Sequence, residues 1–245
     1  MTRIKILGRE FDPVTMEEAQ AQLAAFVAAG DSHLVVTANP EMVMKARGDQ
    51  LLAEIMDRAD LVVADGIGVV WASRFLRRPV PERIPGIELA EGLLEQASTQ
   101  GWRVFLLGGA QGVAEQAAEV LQQRYPDINI VGTYHGFFSS GEEEQGILKK
   151  IAEAKPHVLL AALGVPRQEK WLAAYLGTLK IPVAIGVGGS FNVWAGVDKR
   201  APSWVRKINL EWLYRLARQP WRIKRLVVLP IFVLHVLFAR IKGGR

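Results

Sequence analysis

Six short apolar runs punctuate the chain: HLVVTANPE, LVVADG, RVFLLGG, INIVGTYHG, HVLLAALG and IPVAIGVGG. Between most of them lie segments whose apolar residues recur at helical spacing, over 41–58, 67–76, 87–98, 113–125, 142–154 and 168–179. A strand that is apolar on both faces has to be covered on both, and strands joined by helices run parallel. The alternation therefore predicts an α/β fold, a Rossmann-like parallel sheet sandwiched by helices. Such sheets bind ligands beyond the carboxyl ends of their strands. That edge collects residues a core does not need: Thr37 and Asn39, Asp65 and Gly66, Gly108 and Gly109, Gly136, Gly164 with Gln168 and Glu169, and Gly186 to Gly189.

The chain has 245 residues, half of them hydrophobic, enough for one large domain with an appendage. The absence of cysteine excludes disulfides, thiolate metal sites and a cysteine nucleophile, and the four histidines show no metal-ligand spacing. Neither a metal nor another cofactor is expected. No apolar stretch of signal-peptide length opens the sequence, which predicts a cytoplasmic protein. The net charge of +5 is unevenly spread: from Lys199 onward 12 Lys or Arg face the single acid Glu211, whereas the first 198 residues hold 18 basic and 24 acidic ones. This divides the chain into an acidic α/β body, 1–198, and a basic appendage, 199–245. The appendage calls for an anionic partner, either a membrane surface or nucleic acid.

Each strand-end residue has a structural reading beside its functional one. The glycines of LLGGAQG can cradle a diphosphate at a helix start or merely allow a tight turn. Their spacing is not GxGxxG, and INIVGTYHG closes with Tyr134 and His135 instead of an acid, which argues against a nicotinamide cofactor. Asn39 can cap a helix opened by Pro40 or line the cleft. Thr37 closes HLVV with no evident structural duty. Gln168 and Glu169 can open a helix, where Glu suits the positive dipole end, or face the cleft. Asp65 can cap the helix beginning near Ile67 or serve as an acid or base at the cleft mouth. Arg83, in ERIPG, is either its cationic neighbour or a solvated charge.

The segments TANPE, ADGIG, RIPG, FLLGG, HGFF, LGVPRQE, GVGGSFNVWAG, RAP and LEWLYRL…QPWRIKR, taken in this order, resemble the WecG/TagA/CpsF family of bacterial glycosyltransferases from Thr37 onward. The resemblance implies an inverting, metal-independent enzyme. It would move N-acetylmannosamine from UDP onto polyprenyl-diphosphate-linked GlcNAc, for wall teichoic acid or another surface polysaccharide; UDP-N-acetylmannosaminuronic acid or another UDP-hexose is the alternative donor. It further implies Asp65 as catalytic base, with Thr37, Asn39, Arg83 and Gln168 around the sugar and diphosphate. Gly66, Gly108, Gly109, Gly136, Phe137, Gly164, Glu169, Gly188 and Asn192 complete the expected UDP-sugar pocket. Two positions depart from the family pattern: Asn192 stands where Asp is expected after GGSF, and Asn209 where Gly often precedes LEWLYRL.

The chemistry is compatible with these residues. An inverting transfer needs one carboxylate, to deprotonate the acceptor hydroxyl. No DxD motif occurs, so arginines such as Arg83 and backbone NH groups would have to balance the charge of departing UDP. Either Phe137 or Phe138 can stack on uracil, and either can belong to the core.

In the appendage, Trp204, Trp212 and Trp221 alternate with Arg206, Lys207, Arg215, Arg218, Arg222, Lys224 and Arg225 ahead of a 14-residue apolar run, 226–239. A spanning helix needs about 20 apolar residues, so this basic, amphipathic helical appendage is expected to lie in the membrane interface, peripheral on the inner face of the plasma membrane. Packing of the run on the body is the alternative. Arg215, Arg218, Arg222 and Arg225 follow at intervals of 3, 4 and 3, one face of a helix that Pro220 divides into two short ones. The family resemblance implies that Arg215, Arg222 and Arg225 hold the acceptor diphosphate. A nucleotide-binding module with a nucleic-acid-binding tail is the rival reading; no nucleic acid is expected, and such binding would fall steeply with salt. A homo-oligomer remains open.

Overall fold

The computed structural model describes residues 2–218 and 227–243, and of Arg215 and Gly243 the backbone alone. All six apolar runs become strands: β3 (His33–Ala38), β4 (Leu61–Ala64), β5 (Arg103–Gly108), β6 (Asn129–Tyr134), β7 (Val158–Ala162) and β8 (Val183–Gly186). They form one sheet in the order β4-β3-β8-β7-β5-β6, and every pairing is parallel. All six carboxyl ends therefore lie along one edge. At a strand spacing of roughly 4.8 Å that edge is about 24 Å long.

Helices cover both faces, as the continuous apolar strands require. One layer holds α2 (Pro40–Lys45), α3 (Gln50–Arg58), α4 (Ile67–Phe75), α7 (Glu142–Ala154), α8 (Arg167–Leu179) and α12 (Val228–Gly243). The other holds α1 (Met16–Ala29), α5 (Gly86–Gln100), α6 (Val113–Arg124) and α9 (Ser190–Trp194). The short helices α10 (Ser203–Lys207) and α11 (Glu211–Arg218) open the basic appendage.

The helical segment expected over 41–58 divides in two, because Asp49 caps a new helix: its carboxylate accepts from the Leu52 amide at 3.1 Å. Residues ahead of the first apolar run add a hairpin, β1 (Ile4–Ile6) and β2 (Arg9–Phe11). It protects the outer edge of β4, where the Asp12 amide donates to the Val62 carbonyl at 2.9 Å and the Asp12 carboxylate accepts from the Val62 amide at 2.8 Å. An exposed strand edge would otherwise invite another chain.

Where β5 meets β7, Gly108 has φ 140°, and a Cβ there would lie 2.5 Å from the Ala162 carbonyl group. Gly108→Ala is expected to cost about 2–4 kcal/mol in a denaturant titration, through strain and displaced backbone. Gly146→Ala, with open space around it on α7, is expected to gain up to about 1 kcal/mol.

Candidate functional site

The first cluster of polar residues forms where β3 and β4 end. Ala38 lies opposite Ala64 in the ladder, and the Asp65 amide continues it by donating to the Ala38 carbonyl at 3.0 Å. The ERIPG loop docks on the same place: the Ile84 amide donates to the Ala64 carbonyl at 2.9 Å, which sets Arg83 beside the residue preceding Asp65. Gly66, not Asp65, occupies the N-cap position of α4, and no side chain caps that helix. A Cβ on Gly66 would stand 2.6 Å from Pro40 Cδ, so only glycine lets the Asp65 turn close against the start of α2. Asn39 does cap α2, its side-chain oxygen accepting from the Met42 amide at 3.0 Å.

From this corner a chain of contacts runs inward. The buried Thr37 hydroxyl donates to the Gly186 carbonyl on β8 at 3.2 Å, so Thr37 has a structural duty after all. Beyond Gly186 lies Gln168, which would collide with any side chain there. The Gln168 carbonyl oxygen accepts from the amides of Gly164 and Gly188, each at 3.1 Å, and so ties the loops after β7 and β8 together. Its amide nitrogen donates to Glu169 Oε1 at 2.7 Å. Glu169 is 2% exposed and its Oε2 is sealed without a hydrogen-bond partner. Burial pushes its carboxyl up to about 7, against the opposing hydrogen bond from Gln168 and the nearby charge of Lys45. Thr37, Asn39, Asp65, Arg83 and Gln168 are thus neighbours or neighbours of neighbours.

The far end of the edge is built from glycine turns. The Gly109 amide donates to the Ala162 carbonyl at 3.1 Å and the Gly136 amide to the Gly109 carbonyl at 2.8 Å, so both hold the loops to each other. Phe138 is buried edge-on against Trp171, whereas Phe137 is 79% exposed. That division separates the two readings of HGFF. Arg167 ties this loop down, donating to the carbonyls of Gly136 at 2.6 Å and Phe138 at 3.0 Å. Asn192 sits on α9, and its carbonyl accepts from the Asp198 amide at 2.8 Å. Among the described residues no group of three or more His, Asp or Glu could hold a metal ion. A groove lined by Glu144, Pro166, Arg167, Lys170, Trp171 and Tyr175 opens between α7 and α8.

The appendage reaches this edge through charge. Arg83 donates to the Asn209 side chain at 3.3 Å and lies 3.9 Å from Glu211, the appendage's lone acid. In return Arg200 and Arg206 both engage Glu88 on α5. Asn209 has φ 59°, a left-handed conformation that glycine adopts freely and asparagine tolerates best among the rest, so the substitution keeps the turn. Arg215 lies on α11 with its side chain outside the described residues, as are Pro220, Arg222 and Arg225 altogether.

A profile of the glycosyl transferase WecG/TagA/CpsF family matches residues 4–245. The chain belongs to this family. Among its relatives are enzymes of Staphylococcus aureus strains MW2 and NCTC 8325 / PS 47, each named N-acetylglucosaminyldiphosphoundecaprenol N-acetyl-beta-D-mannosaminyltransferase. Each is 40% identical over 242 residues, covering 98% of this chain and 94% of the relative. As a WecG/TagA/CpsF protein the chain is a glycosyltransferase.

Three site neighbours are not singled out as site residues by the sequence: Arg167 and Arg200, although they stand in LGVPRQE and RAP, and Lys45, whose ammonium donates to the Val165 carbonyl at 3.1 Å. Their partners are supplied only once distant loops are brought together. For Glu169 the sign of the pH effect follows from its raised pKa. The folded protein binds this proton more tightly than the unfolded chain, so the resulting stability is complete below about 4.5 and is lost as pH rises toward about 7. Across that window wild-type stability is expected to fall by about 3 kcal/mol relative to Glu169→Gln, read as the difference between their slopes in denaturant titrations.

Proposed function

We propose that the protein transfers N-acetylmannosamine from its UDP derivative to a hydroxyl of GlcNAc linked through diphosphate to undecaprenol, at the cytoplasmic face of the membrane. The observation that carries this reading is the position of Asp65 outside the helix cap, held by the Ala38 carbonyl at the mouth of the edge and next to the loop of Arg83. In one displacement Asp65 takes the acceptor hydroxyl's proton as that oxygen attacks the anomeric carbon. The bond from that carbon to the diphosphate breaks, and UDP leaves with the electron pair. Inversion agrees with the β linkage in the relatives' name. Arg83 offers the leaving diphosphate a bidentate cation, with Glu211 and Asn209 holding it in place beforehand. The buried pair Gln168 and Glu169 keeps the loops after β7 and β8 in register beneath the donor, and exposed Phe137 offers a face to uracil. Arg215, Arg222 and Arg225 are assigned to the acceptor diphosphate on their sequence alone.

The acceptor is a membrane lipid, and α12 suits an interface. Phe232 and Val236 are buried, while Ile231, Leu234, Phe238 and Ile241, spaced 3, 4 and 3, stand exposed along the helix. A helix that is apolar on its outer side as well needs an apolar environment there. No described helix is long and apolar enough to cross a membrane.

The assay is transfer from UDP-N-acetylmannosamine to a GlcNAc-diphospholipid analogue in detergent. Asp65→Asn is expected to lower turnover roughly 100-fold or more while UDP affinity, by calorimetry, stays within about twofold. A chelator is expected to leave the wild-type rate unchanged; near-wild-type turnover by Asp65→Asn, or strict dependence on Mg²⁺, would refute the proposed chemistry.

A further inference from the structure

Resting on the membrane reading above, we infer that the catalytic body carries its own docking patch for an anionic lipid surface on α4: Trp71 and Phe75 with Arg74, Arg77 and Arg78. The appendage is thus only one of two contacts. Trp71 and Phe75 are 38% and 37% exposed and stack on each other with ring centroids 5.4 Å apart. Helical spacing puts Gly68, Trp71, Ala72 and Phe75 on one side of α4. Gly68 is where α12 crosses, since a Cβ there would lie 3.9 Å from the Phe232 ring. The aromatic pair therefore continues, over the next two turns, the surface that α12 begins. The segment from Gly66 to Pro81 contains no acid, and none of its three exposed arginines has an ion-pair partner among the described residues. Amphipathic aromatics flanked by unpaired arginines are the chemistry that anionic headgroups recognise.

The geometry also gives the patch a purpose. Asp65 immediately precedes the N-cap Gly66, and at about 1.5 Å per residue Phe75 lies roughly 12 Å along the axis from Ile67, the first helical residue. Seating the far end of α4 at the headgroups would fix the height of the Asp65 edge above them, near a diphosphate linked to lipid.

The test measures cosedimentation of the full chain with vesicles of phosphatidylglycerol and phosphatidylcholine, without donor or acceptor. Trp71→Ser with Phe75→Ser is expected to weaken partitioning roughly tenfold or more, with unchanged melting temperature and UDP affinity. Arg74→Gln, Arg77→Gln and Arg78→Gln together are expected to weaken it by a similar factor on anionic vesicles, and to leave binding to phosphatidylcholine alone unchanged. Should the serine variant fail to fold, the conservative Trp71→Phe serves: brominated lipids are expected to quench wild-type fluorescence more than that of the variant, and equal quenching overturns the patch. Equal vesicle binding by variants and wild type overturns it too. So does a change in oligomeric state without a change in vesicle binding, which would make the face a contact between copies. No binding by the wild type would overturn the patch and the membrane reading together. Because neither sugar substrate is present, an error in the donor or acceptor leaves all these readings unaffected.

Discussion

The ladder between β3 and β4, with Ala38 opposite Ala64, decides where this chain can place a strand-end acid. Because the strands are parallel, the next residue on each leaves the sheet on the same edge, and the Asp65 amide is still held by the Ala38 carbonyl. The chain then turns at Gly66, which packs against Pro40 too closely for any side chain. Thr37 underneath bonds to β8, and β8 lies against Gln168, so the position of Asp65 is coupled through direct contacts to the loops after β7 and β8. A shift of one residue between β3 and β4 would turn every side chain of the edge strand over and remove the corner.

A second constraint is electrostatic. The acidic body and the basic appendage meet through shared partners: Glu88 holds Arg200 and Arg206, while Arg200 and Arg83 flank Glu211. An isolated surface pair contributes little, but side chains such as Glu211 and Arg83, only 12% and 16% exposed, sit where solvent screens them less. The appendage's single acid thus lies on the arginine of the ERIPG loop, which links its position to the corner at Asp65.

The architecture was legible because uninterrupted apolar runs and helical periodicity are local signals. All six strands and the helices joining them follow from these. The break between α2 and α3 depends on the cap at Asp49, a small local bond that periodicity alone does not register. In the site, strand-end position singled out Asp65, Thr37 and Gln168, yet their partners stayed hidden. Glu169, at the start of a helix, reads as a complement to the helix dipole, and only packing reveals a sealed carboxyl. Arg83 finds Asn209 from 126 residues away. Whether Phe137 or Phe138 belongs to the core is likewise decided by Trp171, which only the folded chain brings near.

The donor is proposed to lie along the strand ends with its reacting carbon at Asp65. A crystal structure with UDP-N-acetylmannosamine bound tests this placement most directly. The diphosphate is expected beside Arg83 with the anomeric carbon facing Asp65. A donor seated instead in the groove of Glu144, Arg167, Trp171 and Tyr175, between α7 and α8, would contradict it.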